Sequence, residues 1–291
     1  MLHSSEILLR HYPFRANYLN LEGPRMHYAD EGEGTPLVML HGNPTWSFYY
    51  RRLIRELGDS YRVVAPDHVG CGLSDKPQRY AYTLSTHIDN LERLIDHLEL
   101  DRITLVVHDW GGAIGFGYAA RHPQRVRRFV VFNSAAFLGR LPLRIRVCRT
   151  PWLGTLAVRG LNAFARAAVR MACNRHPMPH DVRAGYLLPY DNFANRVAVH
   201  RFIQDIPTRP SHPTYSTIQA IERSLPQFRD HPMAIFWGGA DFCFNDAFLE
   251  GWRQRFPSAE VHHFADAGHY VLEDTADRIV PLLRRFLART D

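Results

Sequence analysis

Residues 103–112 read Ile-Thr-Leu-Val-Val-His-Asp-Trp-Gly-Gly: an apolar run that ends in a histidine and an aspartate and passes straight into paired glycines. A near-continuous apolar run of this length suits a strand buried on both faces, the situation of a central strand in a parallel sheet. Gly111-Gly112-Ala113-Ile114 then opens a helical stretch that continues to Arg121. A strand followed at once by a helix, with small residues at the joint, implies a tight turn with Asp109 at its apex. In open parallel sheets functional groups gather at this carboxyl edge.

Working outward, short β-rich runs alternate with helical ones. Strands are expected at 36–41, 61–67, 103–109, 129–132, 234–238 and 261–264, and helices at 47–57, 84–98, 111–121, 248–256 and 276–287. This alternation predicts an α/β fold with a mostly parallel central sheet flanked by helices. It breaks between about 136 and 224, where Ala- and Arg-rich helical sequence is punctuated by Pro142, Pro151, Pro177, Pro179, Pro189, Pro207 and Pro210. The expected organisation is therefore one core, residues 1–135 and 225–291, interrupted by a helical lid, residues 136–224. There are no internal repeats.

Four segments end strands with chemically capable residues: His41-Gly42-Asn43-Pro44, His108-Asp109-Trp110-Gly111, Gly238-Gly239-Ala240-Asp241 and Asp266-Ala267-Gly268-His269. The second matches the nucleophile elbow of the α/β-hydrolase fold, with aspartate where serine is usual, and the chain order nucleophile, acid, histidine is that fold's order. A carboxylate at that apex attacks carbon to give an ester, splitting one hard displacement into two easier steps. A histidine in a loop is, taken alone, more often structural. Placed after the last strand, His269 is a candidate base for water attacking such an ester, with Asp241 orienting its ring. Asn133 ends the strand after the elbow helix, where a glutamate could serve as the acid, but it carries no charge. Asn43 and Trp110 each offer a side-chain N–H, and two neutral donors facing a departing anion stabilise charge that develops only in the transition state. Packing or a turn role is the plainer reading of each.

The composition limits the alternatives. With 46% hydrophobic and 22% charged residues, 291 residues suffice for a substantial core. No apolar run is long enough to span a bilayer, and the N-terminal sequence lacks the order of a secretory signal, so a cytoplasmic enzyme is expected. Cys71, Cys148, Cys173 and Cys243 are scattered, without metal-ligand or disulfide spacing; reduced thiols, no metal and no cofactor are the expectation. A net charge of +6 would suit nucleic acid, but Lys76 is the sole lysine among 35 basic residues, which codon bias explains more economically. Arg140, Arg144, Arg146, Arg149, Arg159, Arg166, Arg170 and Arg175 crowd one stretch: a solvated face, or a docking surface for a protein or an anionic lipid.

The motifs HGNPTWS (41–47), DHVGCGLSDKP (67–77), VHDWGG (107–112) and FADAGHYVLED (264–274) together resemble the haloalkane dehalogenase family over essentially the whole chain. The resemblance implies that Asp109 attacks carbon, that Asn43 and Trp110 hold the leaving halide, and that Asp241 and His269 are acid and base. NAFARAA, PYDNFANR and FIQDIP, with the last motif, resemble more closely the β-lactone decarboxylases of bacterial long-chain olefin biosynthesis. That implies conversion of a cis-3,4-dialkyl β-lactone to a cis-alkene and carbon dioxide, beside a β-lactone synthetase in an assembly. Dehalogenation is the alternative, followed by epoxide hydrolysis, for which Tyr186, Tyr190 and Tyr215 would be the available proton donors, and by a non-catalytic ligand receptor. Phe137, Leu141, Trp152, Leu156, Leu161 and Phe164 are candidate lining for an apolar tunnel.

Overall fold

In a computed structural model, residues 4–139 and 143–291 are described. Arg140 and the lining candidate Leu141 lie outside them, as does Pro142. Eight strands, β1 (Asn17–Asn20), β2 (Arg25–Glu31), β3 (Pro36–Leu40), β4 (Arg62–Pro66), β5 (Ile103–Asp109), β6 (Val126–Ser134), β7 (Met233–Gly238) and β8 (Glu260–Phe264), form one sheet in the order β1-β2-β4-β3-β5-β6-β7-β8. The ladder from β4 to β8 is parallel, while β1 and β2 join antiparallel.

The hydrophobic alternation along the strands divides the core in two. Val38, Leu40, Leu105, Val107 and Val131 face one layer, against α3 (Leu84–His97), α4 (Trp110–Arg121) and α11 (Asp246–Arg255). Leu37, Met39, Val106, Val130 and Phe236 face the other, against α2 (Arg51–Leu57) and α12 (Val271–Arg289). Each large apolar side chain so buried contributes about 2 kcal/mol. The N-terminal α1 (Ser4–His11) packs on a helix of the long insertion.

That insertion runs from β6 to β7: α5 (Leu143–Cys148), α6 (Pro151–Thr155), a π-helical turn (Leu156–Gly160), α7 (Ala163–Met171), α8 (His180–Leu187), α9 (Val197–Asp205) and α10 (Pro213–Ser224), with no strand among its described residues. The last, α10, returns to the body, where Ile221 meets α4 at Gly117. Tyr186 of α8 donates to Glu273, which also pairs with Arg51, so a buried ion pair ties the insertion to the body.

Sequence patterning missed β1 and β2. β1 is short and half exposed, β2 (Arg-Met-His-Tyr-Ala-Asp-Glu) is polar at both ends, and neither has the apolar run that marks the central strands. The helix expected at 276–287 begins earlier, at Val271, and the run at 47–57 starts as a 3₁₀ turn (Ser47–Tyr50) before α2.

Candidate active site

The strand order reverses between β3 and β5: the chain leaves β3 toward β4 on one side and later returns to β5 on the other. A crevice opens outside the carboxyl ends at such a switch, and the loops after β3 and β5 meet across it. Asp109 adopts φ +50° at the end of β5, a conformation few non-glycine residues hold unless their surroundings enforce it. The surroundings here are close-fitting. A Cβ at Gly42 would fall 2.0 Å from Asp109 Oδ1, and one at Gly111 would fall 2.0 Å from the Leu40 carbonyl. The Ser134 hydroxyl donates to the Asp109 carbonyl at 2.6 Å and fixes the turn from the β6 side.

The Asp109 carboxylate is buried, and its two oxygens differ. Oδ1 accepts from the Asn43 backbone N–H at 2.7 Å, and the carboxylate is also met by the Trp110 backbone N–H that opens α4. Oδ2 stands 3.8 Å from His269 Nε2. Burial raises the Asp109 pKa above the ordinary carboxylate value, although His269 and the two N–H groups oppose the shift. One oxygen is thus held while the other faces the histidine.

His269 arrives on the loop after β8. Its Nδ1 donates to Asp241 Oδ2 at 2.7 Å, and its ring stacks on Phe244 with 5.8 Å between centroids. Burial alone would push its pKa down, but the Asp241 charge, the hydrogen bond to it and the Asp109 charge together hold it above the ordinary value. His269 thus sits between two carboxylates, each of which favours the protonated form of the ring. Its backbone carbonyl accepts from His108 Nε2 at 3.0 Å, fixing the loop to the strand that carries Asp109.

Asp241 is itself positioned. The Cys243 N–H donates to its Oδ1 at 2.6 Å, and Asn133 Nδ2 donates to Oδ2 at 3.0 Å. Asn133 also accepts from the Gly238 N–H at 2.8 Å and donates to the Gly238 carbonyl at 3.0 Å, so it clamps the strand end that carries the acid. Its position at the end of β6 was legible; its grip on Asp241 depends on β6–β7 register and was not.

All five site residues singled out in the sequence, Asn43, Asp109, Trp110, Asp241 and His269, converge here, and Asn43, Asp109, Trp110 and His269 line a cavity of about 360 Å³. The Asn43 amide donates one hydrogen to the Val199 carbonyl of α9 at 3.1 Å, and its other amide hydrogen has no protein partner among the described residues. Trp110 packs on Phe202 of α9, 5.4 Å between centroids. The rest of the cavity is apolar and comes largely from the insertion and from the loop after β7, including Phe137, Ile145, Phe164, Met171, Phe244 and Phe248. Of the expected lining, Phe137 and Phe164 reach it. Trp152, Leu156 and Leu161 do not: they sit on the outer surface, because the inner faces of α5 and α7 are already supplied by Ile145, Cys148 and small alanines. Tyr186 and Tyr190 are buried in other contacts, to Glu273 and to the Thr45 carbonyl.

Such a site can present a desolvated carboxylate oxygen to an electrophilic carbon and two neutral N–H donors to a departing anion. The chain is similar to known enzymes of this fold. The alpha/beta hydrolase fold family matches residues 35–276. The chain is 47% identical over 286 residues to the cis-3-alkyl-4-alkyloxetan-2-one decarboxylase of Shewanella oneidensis, spanning 96% of this chain and 90% of that one. It is 45% identical over 293 residues to the decarboxylase of the same name from Xanthomonas campestris pv. campestris, spanning 96% and 97%. The crystal structure of the haloalkane dehalogenase DatA from Agrobacterium tumefaciens C58 superposes with a TM-score of 0.85 over 95% of this chain and 97% of that one, at 27% identity. The chain belongs to the α/β-hydrolase-fold family. Within it, lactone decarboxylases and haloalkane dehalogenases are its relatives.

Proposed function

We propose that this chain converts cis-3,4-dialkyl β-lactones to cis-alkenes and carbon dioxide, with Asp109 as nucleophile and residues 136–224 as the lid over an apolar cavity. The observation that carries the reading is the asymmetric Asp109 carboxylate at the floor of that cavity, Oδ1 held by the Asn43 backbone N–H and Oδ2 facing His269. Its likeness to the two oxetanone decarboxylases selects the substrate class.

Attack of Oδ2 at the ring carbon that bears the lactone oxygen forms a C–O bond to Asp109 and breaks the ring C–O bond. The strained ring opens, and its oxygen leaves as a carboxylate facing Asn43 and the Trp110 indole. The bond to that carboxylate then breaks. Its electron pair forms the alkene while the Asp109–carbon bond pair returns to Asp109, and carbon dioxide departs. Inversion followed by anti elimination is net syn loss, so a cis lactone gives a cis alkene. No water or proton is consumed. Attack at the carbonyl would need donors for a tetrahedral oxyanion, but Asn43 N–H is already engaged by Asp109 Oδ1, which favours the ring-carbon route.

The second reading is haloalkane hydrolysis, supported by the likeness to DatA and by His269 standing beside Oδ2. There the Asp109 ester is cleaved by water. Esterification removes the Asp109 charge, one of the influences that raise the His269 pKa after those of Asp241, so the ring holds a proton less tightly when a base is needed. In either reading the chain acts in the cytoplasm on an apolar small molecule, and in the first it works beside the β-lactone synthetase that makes its substrate. The test is to incubate the protein separately with a cis-dialkyl β-lactone and with 1-bromobutane, assaying alkene and bromide. Alkene formation that disappears in Asp109→Ala is expected. Rapid bromide release with no alkene would overturn the first reading in favour of the second.

A further inference from the structure

The outer surface of the insertion is unlike the rest of the molecule. Seven of the ten large hydrophobic side chains exposed among the described residues lie in it: Val147, Trp152, Leu153, Leu156, Leu161, Met171 and Phe193. Trp152 is 90% exposed, and Leu153, Leu156 and Leu161 between 57% and 61%. Trp152, Leu153 and Leu156 stand at helical spacing across α6 and the π-helical turn, so they share one outward face. A cluster of this kind on a monomer marks an interaction surface.

Its charge is predominantly positive, with exposed Asp191 near Phe193 at its edge. Residues 110–180 contain no aspartate or glutamate, and residues 140–175 hold eight of the chain's 35 basic residues, leaving 27 basic against 29 acidic elsewhere. The arginines near the apolar face lie close to one another. Arg159, whose pKa is lowered first by burial, is lowered further by Arg201; Arg149 is lowered by burial, opposed by Asp205, with Arg209 a smaller lowering influence. The Arg159 guanidinium lies 4.2 Å over the Phe193 ring. Arg146, Arg201 and Arg209 are exposed.

We infer that this face, centred on Trp152 and Leu156 and ringed by Arg146, Arg159, Arg201 and Arg209, docks on an anionic lipid surface. A protein partner's interface commonly mixes both signs of charge in comparable number, whereas a headgroup layer with negative potential takes a surface of predominantly positive charge. Protruding Trp and Leu enter the headgroup–acyl boundary, and arginine binds the phosphates around them. No described helix is long and apolar enough to cross a membrane, so the attachment is peripheral. Its purpose is legible in α5: Ile145 and Cys148 line the cavity while Arg146 and Val147 of the same helix face outward. A docked lid sets the apolar cavity one helix away from the bilayer, where apolar reactants and products concentrate.

The inference stands on exposure and charge and does not require the proposed reaction. The test is co-sedimentation of the full chain with phosphatidylcholine vesicles, with and without phosphatidylglycerol, alongside R146E/R201E/R209E and W152S/L156S. Each arginine near such a surface multiplies affinity roughly fivefold. Expected are tenfold or greater preference for anionic vesicles, weakening in high salt, and a blue shift of Trp152 emission. The charge-reversed variant should lose at least about a hundredfold in binding while keeping wild-type melting and turnover of a short, water-soluble substrate. Equal binding to neutral and anionic vesicles, or unchanged binding in both variants, overturns the inference. So does concentration-dependent shielding of Trp152 from acrylamide without lipid, which would assign the face to a second copy of the chain.

Discussion

The floor of the cavity and its roof are built on opposite rules. On the floor, Asp109, Asp241 and His269 are buried, and each is held by backbone N–H groups or buried side chains at the strand ends and in the loops that follow them. In the roof, small alanines and the side chains of Phe164 and Met171 line the cavity, and the outer face carries exposed apolar residues. Many ties hold it down, among them Tyr186 to Glu273, the Asn174 N–H to Asp274 and the Leu84 N–H to Asp205, and these three pairs lie outside the cavity lining. A rigid polar floor suits bond-making, which is sensitive to sub-ångström placement; a roof whose cavity-facing side chains are apolar sets which chains fit.

The most severe break of this contrast is removal of the nucleophile. Asp109→Ala should lower turnover on the order of 10⁴-fold or more, as loss of a covalent catalyst does, measured as alkene or bromide release. Stability should move the other way. A carboxylate whose folded pKa is raised by burial is a cost at neutral pH. Asp109→Asn should therefore melt at or above the wild-type temperature at pH 7. A melting temperature well below wild type would mean that the floor depends on that charge for its shape.

His269→Ala sharpens the comparison by separating the two chemistries. Hydrolysis of a haloalkane should fall 10²–10⁴-fold, the range for a lost general base, with the Asp109 ester accumulating in intact-protein mass spectra. Alkene formation should fall less than about tenfold, since the ring-carbon route transfers no proton. Equal loss of both would eliminate that route. The histidine's raised pKa also carries a stability signature. Its contribution is fully present below the unfolded value near 6.5 and is lost as pH rises through the higher folded value. Melting followed from pH 6 upward should fall in the wild type and flatten in His269→Asn.

The floor was largely legible in the sequence, because strands buried on both faces announce themselves as apolar runs and their carboxyl ends are adjacent in the fold whatever their separation in the chain. Hence Asn43, Asp109, Asp241 and His269 could be grouped before any coordinates. What was illegible depends on register or facing. Asn133 was read only as a residue unable to carry charge, since nothing local shows that β6 and β7 align it with Asp241. Ser134 behind the elbow was invisible for the same reason. In the insertion, helical spacing identifies a face but not whether it points in or out, and so Trp152, Leu156 and Leu161 were assigned to the cavity and stand instead on the surface.

Asn133→Ala tests that illegible part. It strands the Gly238 N–H and one Asp241 lone pair in a buried site, costing about 1–3 kcal/mol of stability. Turnover should fall about tenfold on haloalkanes, through a loosened acid. On lactones the fall should be smaller, because His269 is less engaged. An equal effect on both substrates would show that Asn133 merely holds β6 to β7.

The smallest effect belongs to the roof. Phe164 lines the cavity and is itself only partly buried, so Phe164→Ala removes lining without touching the floor. An apolar pocket discriminates by about 1–3 kcal/mol per methylene of fit. The enlarged cavity should move the preferred alkyl length upward by one or two carbons, raise KM severalfold for the shortest substrates, and leave kcat within about twofold. Rates measured across a series of dialkyl lactones of increasing length would show the shift as a displaced maximum. A large fall in kcat at every length, with the maximum unmoved, would mean that Phe164 positions the reacting carbon over Asp109, and that the roof shares in the precision assigned to the floor.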